Sequence, residues 1–236
     1  MQNKPASNKV IQIRIAILID RYCPLWGGTE NQIRQLGQYL KANGCRIFIV
    51  TRRWDMKHLP IEHIDEIEVF RVGRPYPSFF STLSYTLSVL HLLFKKNRSY
   101  DILQTNGAAA LGMLGSMFSL LLSKKSIARI GSHGKVKDFT QNIAKRFLIQ
   151  ILGRMDRLVS VSDDIHNELL EAGISGNNVV TIRNGVNEDR FRALNDQERK
   201  HWRREHALPE NATIVVYASL FKQGKGHELL LKAWSE

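Results

Sequence analysis

Short apolar runs alternate with longer segments of helical periodicity along most of the chain, and this alternation limits the possible folds more than any other feature. The first run, 11–19 (IQIRIAILI), becomes continuously apolar, as expected for a strand of a parallel sheet that is covered on both faces. The next segment places Ile33, Leu36 and Leu40 on one helical face. The repeated order predicts an α/β fold, a Rossmann-like doubly wound parallel sheet.

The same two periodicities predict the individual elements. A loop or short helix is expected over 54–66, and Ser162 is expected to cap a helix that stops at Gly173. The predicted strands are 11–19, 46–51, 67–72, 101–105, 126–130, 157–161 and 179–183. Further helices are predicted over 29–42, 79–94, 108–122 and 138–155.

The pattern divides the chain into four parts. Residues 1–9 are polar and predict a flexible tail, 10–187 contain the repeated strands and helices, and 188–211 are dense in charge, as in a linker or an exposed helix. Residues 212–236 restart the order with a strand-like run (212–217, ATIVVY) and a helix, which predicts the truncated start of a second α/β domain. One strand and one helix cannot bury both of their faces, so this unit needs further protein to pack against.

Composition restricts the partners. The 34 basic and 22 acidic residues give a net charge of +12, which favours anionic partners such as nucleotide phosphates or an acidic membrane surface. No nucleic-acid partner is expected, because the basic residues are not interleaved with aromatic ones and match no known module. Two cysteines without metal-ligand spacing, and the lack of a secretory signal, predict a cytoplasmic protein with reduced thiols. The apolar segments 75–94 and 102–123 are predicted to be buried core rather than membrane spans, because both contain many polar residues.

Gly27 and Gly28 join the first predicted strand to its helix. Without Cβ atoms they let a ligand approach the backbone at the positive end of that helix, where an anion such as phosphate is favoured. A tight turn with no ligand explains the two glycines equally well. Thr29 and Gln32 have the spacing of a capping box, which predicts that Thr29 caps the helix.

Two further loops follow predicted strands at the edge where open α/β sheets bind ligands. One contains Asn106, and the other places His133 between Ser132 and Gly134. A histidine between small residues can present its ring and its carbonyl to a ligand, although a merely solvated side chain is the alternative. The sequence contains no glycine-rich dinucleotide fingerprint, phosphate loop or zinc-protease helix.

The order of these loops resembles glycosyltransferase family 4, whose members have the two-domain GT-B fold. The first strand leads into G-G-x-E (27–30), a later strand into a small residue followed by His-Gly (132–134), and another into N-G-V-[DN] (184–187) with Phe191 after it. The resemblance extends over 11–191. It implies that this part is the N-terminal, acceptor-side domain and that the last residues begin the donor-binding domain.

The resemblance implies retaining transfer of a hexose from a nucleotide-diphosphate sugar to a glycan or lipid-linked acceptor, in polysaccharide or glycolipid biosynthesis. No cofactor or metal is implied, because positive groups and backbone N–H donors hold the diphosphate leaving group. By the same resemblance Gly27, Gly28 and Lys225 bind the donor diphosphate. His133 is then the catalytic residue beside the transferred sugar, and Glu30 and Asn106 lie on the acceptor side.

Two departures from the family pattern concern the donor side. Ser219 stands where the family has an arginine that grips the diphosphate, although Lys225 is kept. The sequence also ends at Glu236, before the family's E-x(7)-E motif. We therefore expect little or no transfer by this chain alone. The alternatives are a non-catalytic acceptor-binding or scaffold half of a split transferase, with a separate polypeptide as donor domain, or a non-functional truncated remnant.

A membrane contact is a separate hypothesis. The predicted helix over 138–155 carries Lys145, Arg146 and Arg154, with Phe147, Leu148 and Ile151 close to them. This helix is expected either to present a solvated face or to lie on an anionic leaflet beside a lipid-linked acceptor, as a peripheral protein at the inner face of the membrane.

Overall fold

The computed structural model describes residues 12–25, 27–75, 79–107, 109–134, 136, 143–219, 221 and 224–235. The predicted tail, 1–9, lies outside these residues. The chain forms two compact units, Met1–Gly185 and Val186–Glu236.

A single sheet forms the centre of the first unit. Its strands are β1 (Arg14–Ile19), β2 (Arg46–Arg52), β3 (Ile61–Ile64), β4 (Ile67–Val72), β5 (Ile102–Gly107), β6 (Lys125–Ile130), β7 (Arg157–Ser160) and β8 (Val179–Thr181). They lie in the order β3-β4-β2-β1-β5-β6-β7-β8, and all neighbours are parallel except β3 and β4. The chain runs outward from β1 and then returns to β5 on the other side of β1, so the topology switches direction between these two strands. The predicted doubly wound α/β sheet is confirmed.

Helices cover both faces of this sheet. They are α1 (Gly28–Ala42), α2 (Phe79–Lys95), α3 (Ala109–Leu121), α4 (Ile143–Leu152) and α5 (Asp163–Glu171). In β1, Leu18 packs into the core that contains residues of α2 and α3, whereas Ile17 packs into the core beneath Ile33 of α1. The two sides of β1 therefore pack against two different sets of helices. A third core joins α4 and α5 to the β6–β8 end of the sheet.

The predicted positions of these elements are confirmed, with differences at their ends. Every strand predicted between 11 and 183 occurs, with its limits shifted by three residues or fewer. The helix predicted over 138–155 ends at Leu152, and residues 137–142 at its predicted start lie outside the described residues. Ser162 caps α5 as predicted, because its hydroxyl accepts a hydrogen bond from the N–H of Ile165 at 3.4 Å.

The segment 54–66, predicted as a loop or short helix, instead contains β3. This strand forms a hairpin with β4 through Asp65 and Glu66, which have φ angles of 51° and 60° and form a two-residue turn of the type I′ class. Neither residue is a glycine or asparagine, so the usual sequence signal of the turn is missing. Ion pairs from α1 hold it instead, from Arg34 to Asp65 (2.6 Å) and from Lys41 to Glu66.

The N-terminus of α1 also differs from the prediction. The N-cap residue is Gly27, not Thr29, and no side chain completes a capping box there. Gly27 has an extended backbone, and its carbonyl accepts a hydrogen bond from the N–H of Asn31 at 3.0 Å. The Glu30 carboxylate folds back over Gly27, where the helix dipole favours a negative charge. The predicted threonine cap is therefore wrong, and an acidic side chain lies at this helix end without a capping hydrogen bond.

The second unit contains α6 (Asp196–Glu205) and α7 (His227–Ser235). A capping box begins α6, because Asn195 and Glu198 each accept a hydrogen bond from the other's backbone N–H at 2.9 Å. The strand predicted over 212–217 is wrong. No strand forms in the described residues of this unit, and a strand needs a neighbouring strand to pair with.

The described part of the chain contains no helix that is both long enough and apolar enough to span a bilayer. Instead, α2 and α3 each place part of their apolar surface against the sheet. Tyr85 and Leu93 of α2 share one buried cluster with Leu111 and Phe118 of α3. The prediction that both apolar segments belong to the α/β core is confirmed.

Candidate functional site

A cavity of about 520 Å³ opens at the carboxyl ends of β1 and β5, where the sheet topology switches direction. Residues at or after strand ends form its base, and the N-terminal parts of α1, α2 and α3 form its walls. The strand-end residues include Asp20, Arg21, Arg52, Asn106, Gly107 and Ser132. The helix residues include Thr29, Glu30, Thr82, Tyr85, Thr86, Ala110, Leu111 and Leu114.

Three side chains of this cavity carry a buried polar atom without a hydrogen-bond partner among the described residues. They are Arg52 (Nη1), Tyr85 (Oη) and Asn106 (Nδ2), and their exposed fractions are 9%, 2% and 1%. Burial raises the pKa of Tyr85, so its hydroxyl stays protonated and can donate. A buried polar group without a partner costs about 1–3 kcal/mol. All three atoms can donate, so a ligand rich in oxygen acceptors would relieve this cost.

The cavity carries charges of both signs. Arg52 donates from Nε to Asp20 Oδ1 at 3.0 Å, and its guanidinium lies 4.4 Å from the centre of the Tyr85 ring. Arg21 also lines the cavity, with its guanidinium 4.7 Å from the Trp54 ring. Together with Asp20, the Glu30 carboxylate balances the two arginines. A charge-balanced set of donors and acceptors suits a neutral ligand with several hydroxyl groups better than a free anion.

The two predicted glycines have different surroundings. A Cβ atom on Gly28 would meet nothing within 4 Å, so the backbone at the start of α1 is open to a ligand. Gly27 is covered by Glu30, whose carboxylate overlaps the place that a Cβ on Gly27 would take. This carboxylate stands where an anion would bind the helix N-terminus, so a diphosphate at Gly27 has to displace it.

His133 lies in the loop after β6, and its side chain is 66% exposed. Its Nδ1 is 3.4 Å from Oε2 of Glu168, a buried carboxylate on α5. The same oxygen accepts a hydrogen bond from the N–H of Gly134 at 2.8 Å. Glu168 therefore contacts both the His133 ring and the backbone of this loop. It approaches the ring at Nδ1, so Nε2 lies on the side of the ring away from that contact.

The N-G-V-N motif reaches the sheet through Asn184. Its Oδ1 accepts a hydrogen bond from Nη2 of Arg129, a buried residue of β6. Burial lowers the pKa of Arg129, because the charged form loses its hydration. Arg129 is opposite Asn106 in the β5–β6 register, so the motif supports the strand next to the cavity.

Lys225 and Ser219 lie in the second unit. Lys225 is exposed in the loop before α7, and its carbonyl accepts a hydrogen bond from the Tyr217 hydroxyl. Ser219 Oγ lies 3.4 Å from Nε2 of His227. The described residues include no group of three or more His, Cys, Asp or Glu side chains suited to a metal ion.

The structure brings together part of the predicted site. Glu30 and Asn106 line the same cavity, and Gly28 begins the helix that carries Glu30. His133 follows Ser132, which is itself a lining residue. The roles assigned to Gly27, Gly28, Glu30, Asn106, His133 and Lys225 stay predictions.

Sequence reasoning missed three residues of this region. Arg52 is the charged last residue of a strand with an apolar middle (47–50, IFIV), a signal that could have been used. Tyr85 lies on the buried face of α2 and was not singled out from the sequence. Glu168 sits between apolar positions on the buried face of α5, and a lone acid there indicates a paired, functional carboxylate.

The model of Glycosyltransferase Family 4 matches residues 26–190, which include most of the residues that line the cavity, the His133 loop and the N-G-V-N motif. The chain belongs to glycosyltransferase family 4. The resemblance predicted from the motifs is thereby confirmed.

Among curated relatives of this family 4 chain is the alpha-galactosylglucosyldiacylglycerol synthase of Streptococcus pneumoniae. It is 33% identical over 92 residues, which make up 39% of this chain and 25% of that protein.

Solved structures show the same fold. Sucrose-phosphate synthase from Thermosynechococcus elongatus matches with a TM-score of 0.71 and 21% identity, over 95% of this chain and 60% of that one. Anabaena HepE in complex with UDP and glucose matches with a TM-score of 0.68 and 14% identity, over 95% of this chain and 58% of that one. This family 4 chain therefore spans 60% or less of the length of these proteins.

Proposed function

We propose that this chain forms the acceptor side of a glycosyltransferase that moves a hexose from a nucleotide-diphosphate sugar to an acceptor hydroxyl, with retention at the anomeric carbon. The cavity at the switch point carries this proposal, because its three unpartnered donors and two carboxylates match a sugar's hydroxyl groups. Membership of family 4 supplies the reaction class.

On the donor side, the N-terminus of α1 is proposed to face the diphosphate. Gly28 leaves this backbone open, and Gly27 becomes accessible once the Glu30 side chain swings away. Lys225, in the second unit, is proposed from the family resemblance to bind a donor phosphate. The similar HepE structure holds UDP and glucose, which supports a nucleotide sugar as donor. We also propose that no metal or cofactor takes part, because backbone N–H groups and cations can stabilise the leaving group.

On the acceptor side, Arg52, Tyr85 and Asn106 are proposed to donate to oxygen atoms of the acceptor. Asp20 and Glu30 can accept hydrogen bonds from its hydroxyl groups. The partly similar synthase from Streptococcus pneumoniae is named for a glycosylated diacylglycerol, which supports a lipid-linked acceptor over a free polysaccharide. A cytoplasmic protein in peripheral contact with an anionic membrane fits this acceptor.

His133 is proposed to lie beside the transferred sugar. As the glycosidic bond to the donor breaks, positive charge develops on the sugar ring, and an oriented histidine carbonyl or imidazole can stabilise it. Glu168 fixes that orientation through the His133 ring and the Gly134 N–H. Its role is to position the loop and not to touch the sugar.

Calorimetric titration with UDP and UDP-glucose tests the donor side by measuring binding directly. Gly28→Val adds a side chain where the protein has free space, so the fold is kept while a ligand's approach to the backbone is blocked. We expect affinity to fall about tenfold or more, the loss of about 1.4 kcal/mol or more of binding free energy. Ala42→Val, at the exposed far end of the same helix, is the control.

In the same titration, the variant His133→Ala distinguishes the contribution of the sugar to binding from that of the nucleotide. We expect it to weaken UDP-glucose binding and to leave UDP binding unchanged, because His133 is assigned to the sugar. Affinities that neither His133→Ala nor Gly28→Val alters would contradict the donor-side assignment.

A further inference from the structure

Helix α2 has two apolar sides. Tyr85, Val89 and Leu93 point to the sheet and are buried. Leu83, Leu87 and Phe94 lie on the opposite side and are exposed. A helix on the surface of a globular protein normally has a polar outer side, so the outer stripe of α2 is not explained by the fold.

Helix α3 continues the same surface. Ala110 and Leu114 line the cavity, and Met117 and Leu121 follow at helical spacing on the same side of the helix and are exposed. The two helices cover the same face of the sheet, because both contribute buried residues to one core. Thr82 and Thr86 of α2 stand across the cavity from α3. The cavity mouth therefore lies between two helices whose outer sides are apolar.

We call this surface the α2–α3 face, formed by Leu83, Leu87, Phe94, Met117, Leu120 and Leu121. The exposed fractions of these side chains lie between 48% and 69%. So many large apolar side chains on two neighbouring helices mark an interaction surface rather than scattered exposure.

Basic residues outnumber acidic ones beside the α2–α3 face, where Glu68 pairs with Lys96 and Asp156 pairs with Lys125. Neither helix contains an acidic residue, and basic residues lie at or after both C-terminal ends. These residues are Lys95, Lys96, Arg98, Lys124 and Lys125. An apolar surface with a cationic border fits an anionic lipid bilayer, where apolar side chains enter the acyl boundary and cations meet the headgroups.

We propose that the α2–α3 face lies on an anionic membrane, so that the cavity between the helices receives its acceptor from the bilayer. The lipid-linked acceptor rests on the proposed function, whereas the membrane contact rests on the surface alone. The helix named as a membrane candidate from the sequence, α4, has a less suitable surface: Phe147 is exposed, but Leu148 packs against the core. The side chains of Lys145 and Arg146 lie outside the described residues, and Arg154 follows the end of the helix.

Flotation of the 236-residue chain with vesicles tests the proposal. We expect binding to vesicles of phosphatidylcholine and phosphatidylglycerol in equal parts, and weaker binding to pure phosphatidylcholine. The double variant Leu83→Glu, Leu87→Glu should lower binding to the anionic vesicles by about tenfold or more, because it places two carboxylates in the apolar stripe.

A matched control carries the same change in net charge. Asn31→Glu with Gln35→Glu adds two carboxylates to exposed positions of α1, on the other face of the sheet, and should keep most of the binding. Phe147→Glu should also leave binding unchanged, and a loss of binding there would favour α4 over the α2–α3 face. Far-ultraviolet circular dichroism and a melting curve establish that each variant is folded.

Three outcomes would overturn the proposal. They are a wild-type chain that does not float with anionic vesicles, an α2 variant that binds as well as the wild type, and a wild-type dimer that the α2 variant converts to a monomer. The last would show that a second copy covers this face. Because flotation is measured without nucleotide sugar, its failure is independent of a failure in the UDP titration.

Discussion

Helices cover the two faces of the central sheet. Their inner sides are apolar on both faces, whereas their outer sides are polar on one face and apolar on the other. On one face α1 buries Ile33 and exposes Asn31 and Gln35. On the other face α2 buries Leu93 and exposes Leu87. Since the fold requires only the inner stripe, the outer stripe of α2 is free to serve another purpose.

The two faces are also held differently. The α1 side is tied to the β3–β4 turn by two ion pairs, Arg34 with Asp65 and Lys41 with Glu66. On the α2–α3 side basic residues predominate beside the apolar stripe, and Lys96 reaches Glu68 at 3.1 Å on the sheet. The stability of the α1 side should therefore depend on pH, and the α2–α3 side should bind lipid and detergent.

The largest predicted contrast compares two identical substitutions on α2. Leu93→Ala removes a fully buried side chain and should lower the free energy of unfolding by about 2–5 kcal/mol. Leu87→Ala, on the outer side, should change it by no more than about 0.5 kcal/mol. Urea unfolding followed by circular dichroism measures both.

The equivalent pair on α1 is the control. Ile33→Ala should cost as much as Leu93→Ala, and Gln35→Ala as little as Leu87→Ala, because the inner sides of the two helices are alike. A large cost for Leu87→Ala would mean that this side chain packs within the protein, and the contrast between the two outer sides would be lost.

Much of the fold could be predicted because the periodicities are local. The alternation in 11–19 and the helical spacing of the apolar residues in 79–94 specify a strand and a helix without knowledge of the rest of the chain. The β3 hairpin could not be predicted, because Asp65 and Glu66 hold positive φ angles through ion pairs with a distant helix. The run 212–217 has strand composition, but a strand also needs a neighbour to pair with.

The residues of the site likewise divide into those that could be predicted from the sequence and those that could not. Glu30 and Asn106 follow strand ends in the sequence, so their place near the switch point could be inferred. Tyr85 could not be assigned to the site, because its spacing is that of a core residue and only the packing of α2 beside Arg52 brings its hydroxyl to the cavity. The role of Glu30 at the start of α1 likewise depends on a side-chain conformation that spacing does not specify.

A smaller effect tests the ion pairs of the α1 side. The hydrogen bond from Arg34 lowers the pKa of Asp65 below its ordinary value of 3.8. The ion pair therefore stabilises the fold fully above the pKa that Asp65 has in the unfolded chain. This stabilisation is lost as the pH falls through the lower pKa that Asp65 has in the folded protein. Asp65→Asn should reduce the free energy of unfolding at pH 7, and the difference from wild type should shrink at pH 3.

Asparagine is a suitable replacement because it tolerates the φ angle of 51° at this position. Leu93→Ala serves as the comparison, since the cost of a core cavity does not depend on the protonation of Asp65. Urea unfolding at both pH values measures the two differences. An Asp65→Asn difference as large at pH 3 as at pH 7 would show that the turn depends on shape and not on charge.

The smallest predicted effect on stability concerns Tyr85, where the inner side of α2 meets the cavity. Tyr85→Phe keeps the ring beside Arg52 and removes only the hydroxyl, which is buried without a partner among the described residues. Stability should be unchanged or rise by up to about 1 kcal/mol, because an unpaired polar group is removed. Calorimetric binding of a neutral alkyl glucoside, used below its micelle concentration, should weaken several-fold, since the hydroxyl is a proposed donor to the acceptor. A variant that loses stability would mean that this hydroxyl supports the fold, and the special role of the α2–α3 side would then rest on its outer surface alone.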